Sequence, residues 1–156
     1  MKPYQTVCFH IKTTWHAISR LYNEQAAKYG YTASIGYVLL YIDTVEGTPA
    51  TKIGPMIGME PRSLTRMLKS LEESELIRRV QDKKDKRLVK IFLTEKGKEK
   101  KEMAKKVVRR FNQAVREEIP EEKLKVFFEV AEKINSIIDH KEIYNNNNKT
   151  ENTNTF

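Results

Sequence analysis

The chain has 156 residues, 39% hydrophobic and 32% charged, which suits one packed domain with much exposed helical surface and is short for two. Its net charge of +8 and pI near 9.5 favour a polyanionic partner, nucleic acid ahead of an anionic membrane. A single cysteine, Cys8, excludes an internal disulfide; no run approaches the ~18 apolar residues of a membrane helix and no leader-like apolar core follows Met1, so a cytoplasmic protein is expected.

Val7, Ile11, Trp15, Ile18, Tyr22, Ala26 and Tyr29 recur at spacings of three and four, which predicts one long helix over 4–29 with Gly30 at its stop. Thr32 reads as the cap of a second helix, with Ile35, Val38, Leu39 and Ile42 on one face, ending at Glu46-Gly47. Thr48 reads as the next cap and Pro49 as the first residue of a short helix with Ile53, Met56 and Ile57 inward. Gly54-Pro55 in its middle predicts distortion or shortening, because proline removes an i→i−4 bond.

After Gly58, Pro61 opens a helix with Leu64, Met67, Leu68 and Leu71 inward, and two short helices around a glycine turn make a helix-turn-helix pattern. Leu76–Val80 and Leu88–Leu93 then read as strands, the second alternating with a period of two. Thr94 caps a long helix carrying Met103, Val107, Phe111, Ala114 and Val115. Pro120 starts the last helix, with Leu124, Phe127, Ala131, Ile134 and Ile138 in register. Residues 141–156 are polar and Asn-rich, and are expected to be disordered.

The expected fold is mainly α with a small β-hairpin wing. One domain over 1–140 contains a winged helix-turn-helix core at 33–93 and long flanking helices at 4–29 and 94–140. The apolar stripes of the flanking helices predict packing on each other and on a second copy, so a homodimer is expected.

The hairpin carries the strongest chemical signal. Residues 77–90 hold seven basic and two acidic side chains, a net +5 on one small element. The helix before it presents Arg62, Ser63, Thr65, Arg66 and Lys69 away from its leucine stripe, a set suited to base edges and phosphates in a major groove. Arg87 is the candidate for an adjacent minor groove, whose negative potential attracts an inserted arginine. Asp85 is placed to orient the Arg87 guanidinium, and Lys83, Lys84 and Lys86 to meet phosphates.

Three runs, Leu71-Glu-Glu-x-x-Leu76-Ile77-x-Arg79, Asp85-x-Arg87 and Leu93-Thr94-Glu95-x-Gly97, resemble the MarR (multiple antibiotic resistance regulator) transcription factors across roughly residues 5–140. The resemblance implies a homodimer held by the first and last two helices, residues 61–74 in a major groove, Arg87 in a minor groove, and a pseudo-palindromic operator. It also implies a repressor released by a small aromatic or fatty carboxylate or thioester. Trp15, Tyr22, Tyr37 and Tyr41 are the candidate pocket residues. Two positions depart from the family pattern: Glu75 stands where glycine is usual, and Gly54-Pro55 interrupts a helix that is normally regular.

Cys8-Phe9, with Tyr22 fourteen residues on, resembles the branch of the family that senses organic hydroperoxides, although the second supporting tyrosine falls on Ala33. A peroxide-sensing thiol at Cys8, with Lys12 one turn away, is therefore an alternative. His10, His16 and His140 are scattered and lack metal-ligand spacing; no metal, cofactor or enzymatic activity is expected. Two rivals come from other classes. The basic wing could dock an acidic protein partner, or a basic dimer could coat DNA without sequence preference.

Overall fold

The computed structural model describes residues 2–82 and 85–140. After a single 3₁₀ turn at Pro3–Gln5 come helices α1 (Val7–Ala27) and α2 (Ala33–Tyr41), strand β1 (Thr48–Pro49), and helices α3 (Ala50–Ile57) and α4 (Pro61–Glu73). Strands β2 (Ile77–Gln81) and β3 (Val89–Leu93) and helices α5 (Glu95–Glu118) and α6 (Glu121–Asp139) follow. The described residues are mostly helical, and the three strands form one antiparallel sheet in the order β1-β3-β2. Lys83, Lys84 and the Asn-rich segment 141–156 lie outside the described residues.

Most boundaries follow from local chemistry. The Thr32 side chain accepts the Ile35 N–H at 3.4 Å and starts α2. The Thr94 hydroxyl accepts the Gly97 N–H at 3.0 Å and starts α5. It also donates to the Glu75 carbonyl at 2.6 Å, which ties the start of α5 to the end of α4.

The region around Thr48 differs from expectation. Thr48 and Pro49 do not begin a helix; they pair with Ile91 and Lys90 as a third strand, and α3 starts at Ala50 with Pro49 at its cap. The reason is tertiary. The Thr48 hydroxyl accepts the Asp43 N–H at 2.8 Å and donates to the Tyr41 carbonyl, so it closes the preceding turn and is not available to cap α3.

Helix α3 is eight residues long and passes through Pro55. It stops at Gly58, whose φ of +64° is left-handed. A Cβ on Gly54 would lie 3.0 Å from the Met59 carbonyl, so this glycine permits the close return of the turn.

The chain divides into two compact units, one of residues 14–110 and one of the described residues before 14 and after 110. The first holds the main core, with Val38, Leu39, Ile42, Ile53, Leu68, Leu71, Ile77 and Ile91 each at most 3% exposed. These side chains come from α2, α3, α4 and the sheet, so the helix-turn-helix and the wing share one interior. In the second unit, Leu124 is buried, while Val7, Ile11, Val126, Phe127, Val130 and Ile138 are each more than half exposed.

Candidate nucleic-acid interface

Helix α4 carries proline at its first turn, where the missing N–H costs nothing. Leu64, Leu68 and Leu71 lie inward, and Arg62, Ser63, Thr65, Arg66 and Lys69 are all exposed on the other side. Thr65 donates its hydroxyl proton to the Pro61 carbonyl at 2.9 Å, so toward a partner its oxygen acts as an acceptor. Lys69 lies 3.9 Å from Glu73 with both side chains largely exposed, a pairing weak enough to leave Lys69 available to a phosphate.

The joint between α4 and the wing is a Schellman motif. The Leu76 N–H donates to the Leu71 carbonyl at 2.9 Å and the Glu75 N–H to the Glu72 carbonyl at 3.0 Å. Buried Leu71 and Leu76 supply the apolar contact that usually accompanies this motif. Glu75 has φ +60°, the left-handed conformation that glycine adopts without strain. The departure at Glu75 therefore falls where the backbone asks for glycine.

Gly97 explains another motif position. A Cβ there would lie 2.0 Å from the Leu76 carbonyl oxygen, so only glycine lets α5 pack against the root of the wing. Arg79 pairs with Glu72 at 3.0 Å, fastening β2 to α4, and borders an open groove of about 610 Å³ between α3, α4 and β2.

At the tip, the Leu88 N–H donates to the Asp85 carbonyl at 2.9 Å, which puts Lys86 and Arg87 at the centre of a β-turn. The Asp85 carboxylate accepts the Arg87 backbone N–H at 2.9 Å, where an interaction with the guanidinium was expected. Asp85 thus shapes the turn and leaves the guanidinium unengaged by it. The Asp82 carboxylate accepts the Asp85 N–H at 3.0 Å, and the Gln81 amide donates to the Lys86 carbonyl at 2.5 Å. These bonds define the backbone of the turn that carries Arg87. Both Lys86 and Arg87 are exposed.

The remaining candidates are dispersed. Tyr22 and Tyr37 line a small cleft bounded by α1, α2 and α5, whereas Trp15 and Tyr41 are 53% and 42% exposed and lie outside its lining. Trp15 does touch the Tyr37 ring, with centroids 5.8 Å apart. Burial, with Tyr22 and Tyr41 nearby, pushes the Tyr37 phenol up to about 12. Cys8 is exposed; its thiol donates to the Thr6 hydroxyl at 3.5 Å, whose own proton goes to the Pro3 carbonyl at 2.8 Å. Among the described residues, no three His, Cys, Asp or Glu side chains converge as a metal site, and no helix is long and apolar enough to cross a membrane.

Two features escaped the sequence. Tyr31 is buried in the cleft lining, and nothing in the helical periodicity marked it. Arg78 lies over the Phe92 ring at 4.9 Å on the outer face of the hairpin. Residues 78 and 92 are cross-strand partners in the observed register, so correct strand alignment would have revealed this contact.

The sequence pattern of the MarR family matches residues 32–89, from the cap of α2 to the start of β3. The chain is 37% identical over 91 residues to the HTH-type transcriptional regulator TtmR of Methylorubrum extorquens, covering 58% of this chain and 47%, about half, of that relative's length. It is 31% identical over 115 residues to the HTH-type transcriptional regulator SarZ of Staphylococcus aureus, covering 71% of this chain and 78% of SarZ.

Among solved structures, S. aureus MepR in complex with DNA superimposes with a TM-score of 0.78 at 20% identity, over 85% of this chain and 98% of that one. PcaV of Streptomyces coelicolor with its natural ligand gives 0.75 at 18%, over 87% and 96%. Overoxidized AbfR bound to DNA gives 0.66 at 25%, over 84% and 91%. The first two likenesses establish the fold; the match to SarZ, spanning most of both chains, establishes kinship. The chain belongs to the MarR family of winged helix-turn-helix, DNA-binding transcriptional regulators.

Proposed function

We propose that the chain is a homodimeric repressor that binds a pseudo-palindromic operator and releases it when a small molecule binds. Each subunit lays α4 in a major groove and inserts Arg87 into the neighbouring minor groove. The observation that carries this reading is that two exposed basic elements belong to one folded unit and share one core. Arg62, Ser63 and Arg66 on α4 and Arg87 on the turn are joined through the Schellman motif and the Glu72–Arg79 pair. Two exposed basic elements on one folded unit suit two adjacent grooves of duplex DNA.

Dimerisation is supported by the apolar side chains exposed on α1 and α6, which a second copy would cover. Release by a ligand is supported by the aromatic cleft and by the ligand-bound state of the structurally similar PcaV. Residues 1–140 then act as one functional domain.

The test is fluorescence anisotropy on duplex DNA from upstream of the protein's own gene, with a scrambled duplex and Arg87→Ala alongside at physiological salt. Tight binding to the upstream duplex alone, weakened in the variant, is the expected result. Equal binding to both duplexes would indicate a non-specific coat, and binding to neither would favour docking to an acidic protein.

A second reading has its own observation. The Cys8 thiol is exposed to solvent near the start of α1, with Lys12 one turn on, and is open to a peroxide. The thiolate would attack an organic hydroperoxide, forming a sulfenic acid and releasing the alcohol. Hydroperoxide that frees DNA from the native protein and not from Cys8→Ser would establish it.

A further inference from the structure

The step from α4 into the wing is bonded from outside by one short stretch of chain. Ser74, Glu75 and Leu76 follow the last turn of α4, where carbonyls have no helical N–H left to accept. The Lys96 ammonium donates to the Ser74 carbonyl at 2.9 Å and the Thr94 hydroxyl to that of Glu75 at 2.6 Å. The Thr94 N–H donates to the Leu76 carbonyl at 3.1 Å. Three successive carbonyls are thus met by two residues at the entrance of α5.

Thr94 has a local reason to be there, because its hydroxyl also caps α5. Lys96 stands against the local preference. It is the second residue of α5, and a cation in the first turn opposes that helix's own dipole. At the C-terminal end of α4 the same charge is favourable. The side chain is exposed, so burial does not account for the residue either. What Lys96 engages is the end of the helix that carries Arg62, Ser63 and Arg66, one residue before the left-handed Glu75 and three before β2.

We propose that Lys96 is a positioning residue for DNA recognition: through the Ser74 carbonyl it favours the arrangement of α4 and wing that fits the operator, and it does not itself touch DNA. The inference rests on the operator reading proposed above. Without the bond, fewer subunits occupy the competent arrangement, and apparent affinity falls by that fraction.

The test is anisotropy of the full-length protein on the upstream and scrambled duplexes over a salt series, at a temperature where circular dichroism shows every variant folded. Lys96→Met is expected to weaken binding to the upstream duplex about three- to tenfold, the worth of one hydrogen bond. Its salt dependence is expected to match that of the native protein, because the bound complex keeps the same phosphate contacts. Lys96→Arg retains a cationic donor and is expected to recover most of the loss. Lys98→Met removes the same charge two residues on, from a side chain paired with Glu95, and is expected to stay within about twofold of native. A salt slope lowered by about 0.9 per subunit in Lys96→Met would make Lys96 a phosphate contact. Unchanged affinity in Lys96→Met, no recovery in Lys96→Arg, or an equal loss in Lys98→Met would also overturn the positioning role. Each of these results leaves the operator reading standing. Native protein that binds both duplexes alike would overturn that reading and this inference together.

Discussion

The hairpin at 77–90 and the first half of α5, residues 95–110, carry the same net charge of +5, from seven basic and two acidic residues in one and eight basic and three acidic in the other. Their uses differ. In α5, Lys96 donates to the Ser74 carbonyl at 2.9 Å, Lys100 to that of Tyr29 and Lys101 to that of Ile42 at 2.5 Å. These carbonyls lie at the C-terminal ends of α4, α1 and α2, where carbonyls lack helical partners and the helix dipole is negative. Lys98 and Lys105 pair with Glu95 and Glu102. This basic stretch is a clamp for three helix ends. The hairpin keeps its root for structure, with Arg79 on Glu72 and Arg78 over Phe92, and leaves Lys86 and Arg87 exposed at the tip. Equal charge counts therefore say little about where a polyanion binds. What matters is whether unfilled carbonyls lie within reach of the side chains.

The sharpest way to break the comparison is at the junction of the two regions. Gly97→Ala places a Cβ 2.0 Å from the Leu76 oxygen and should cost about 3 kcal/mol or more in urea unfolding, since backbone must move to admit it. Lys101→Met removes the partner of a buried carbonyl and should cost about 1–3 kcal/mol, whereas Lys106→Met at an exposed position should stay within about 0.5 kcal/mol. Equal losses at the two lysines would remove the clamp. On the DNA side, Arg66→Ala should cost about 1–3 kcal/mol of operator affinity and relax base preference; a uniform loss on every duplex would make Arg66 a phosphate contact. The smallest effect is a gain. Glu75→Gly relieves the left-handed backbone and should raise stability by about 0.5–1 kcal/mol in thermal unfolding.

Much of the interface architecture was legible because it depends on neighbours in sequence. Leucines at three- and four-residue spacing set the inward face of α4 and hence which of its residues are exposed. Thr32 and Thr94 cap helices through N–H groups three residues away. The misread parts depend on distant partners. Thr48 looks like a cap in isolation and becomes a strand residue because Ile91 lies opposite it. Asp85 is the exception: it looked like a partner for the Arg87 guanidinium, and the backbone N–H of that same residue, two positions on, bonds its carboxylate. Tyr31 joins the cleft because Gly36 and Ala104 leave room for its ring, a fit that spans α2 and α5.

The sequence by itself determined the helix-turn-helix, the wing and the excess of positive charge, because periodicity, caps and composition are local properties. Only the tertiary structure decided which of those charges remain available. A lysine's role depends on whether folding brings an unfilled carbonyl within about 3 Å of its ammonium, and chain spacing does not encode that distance.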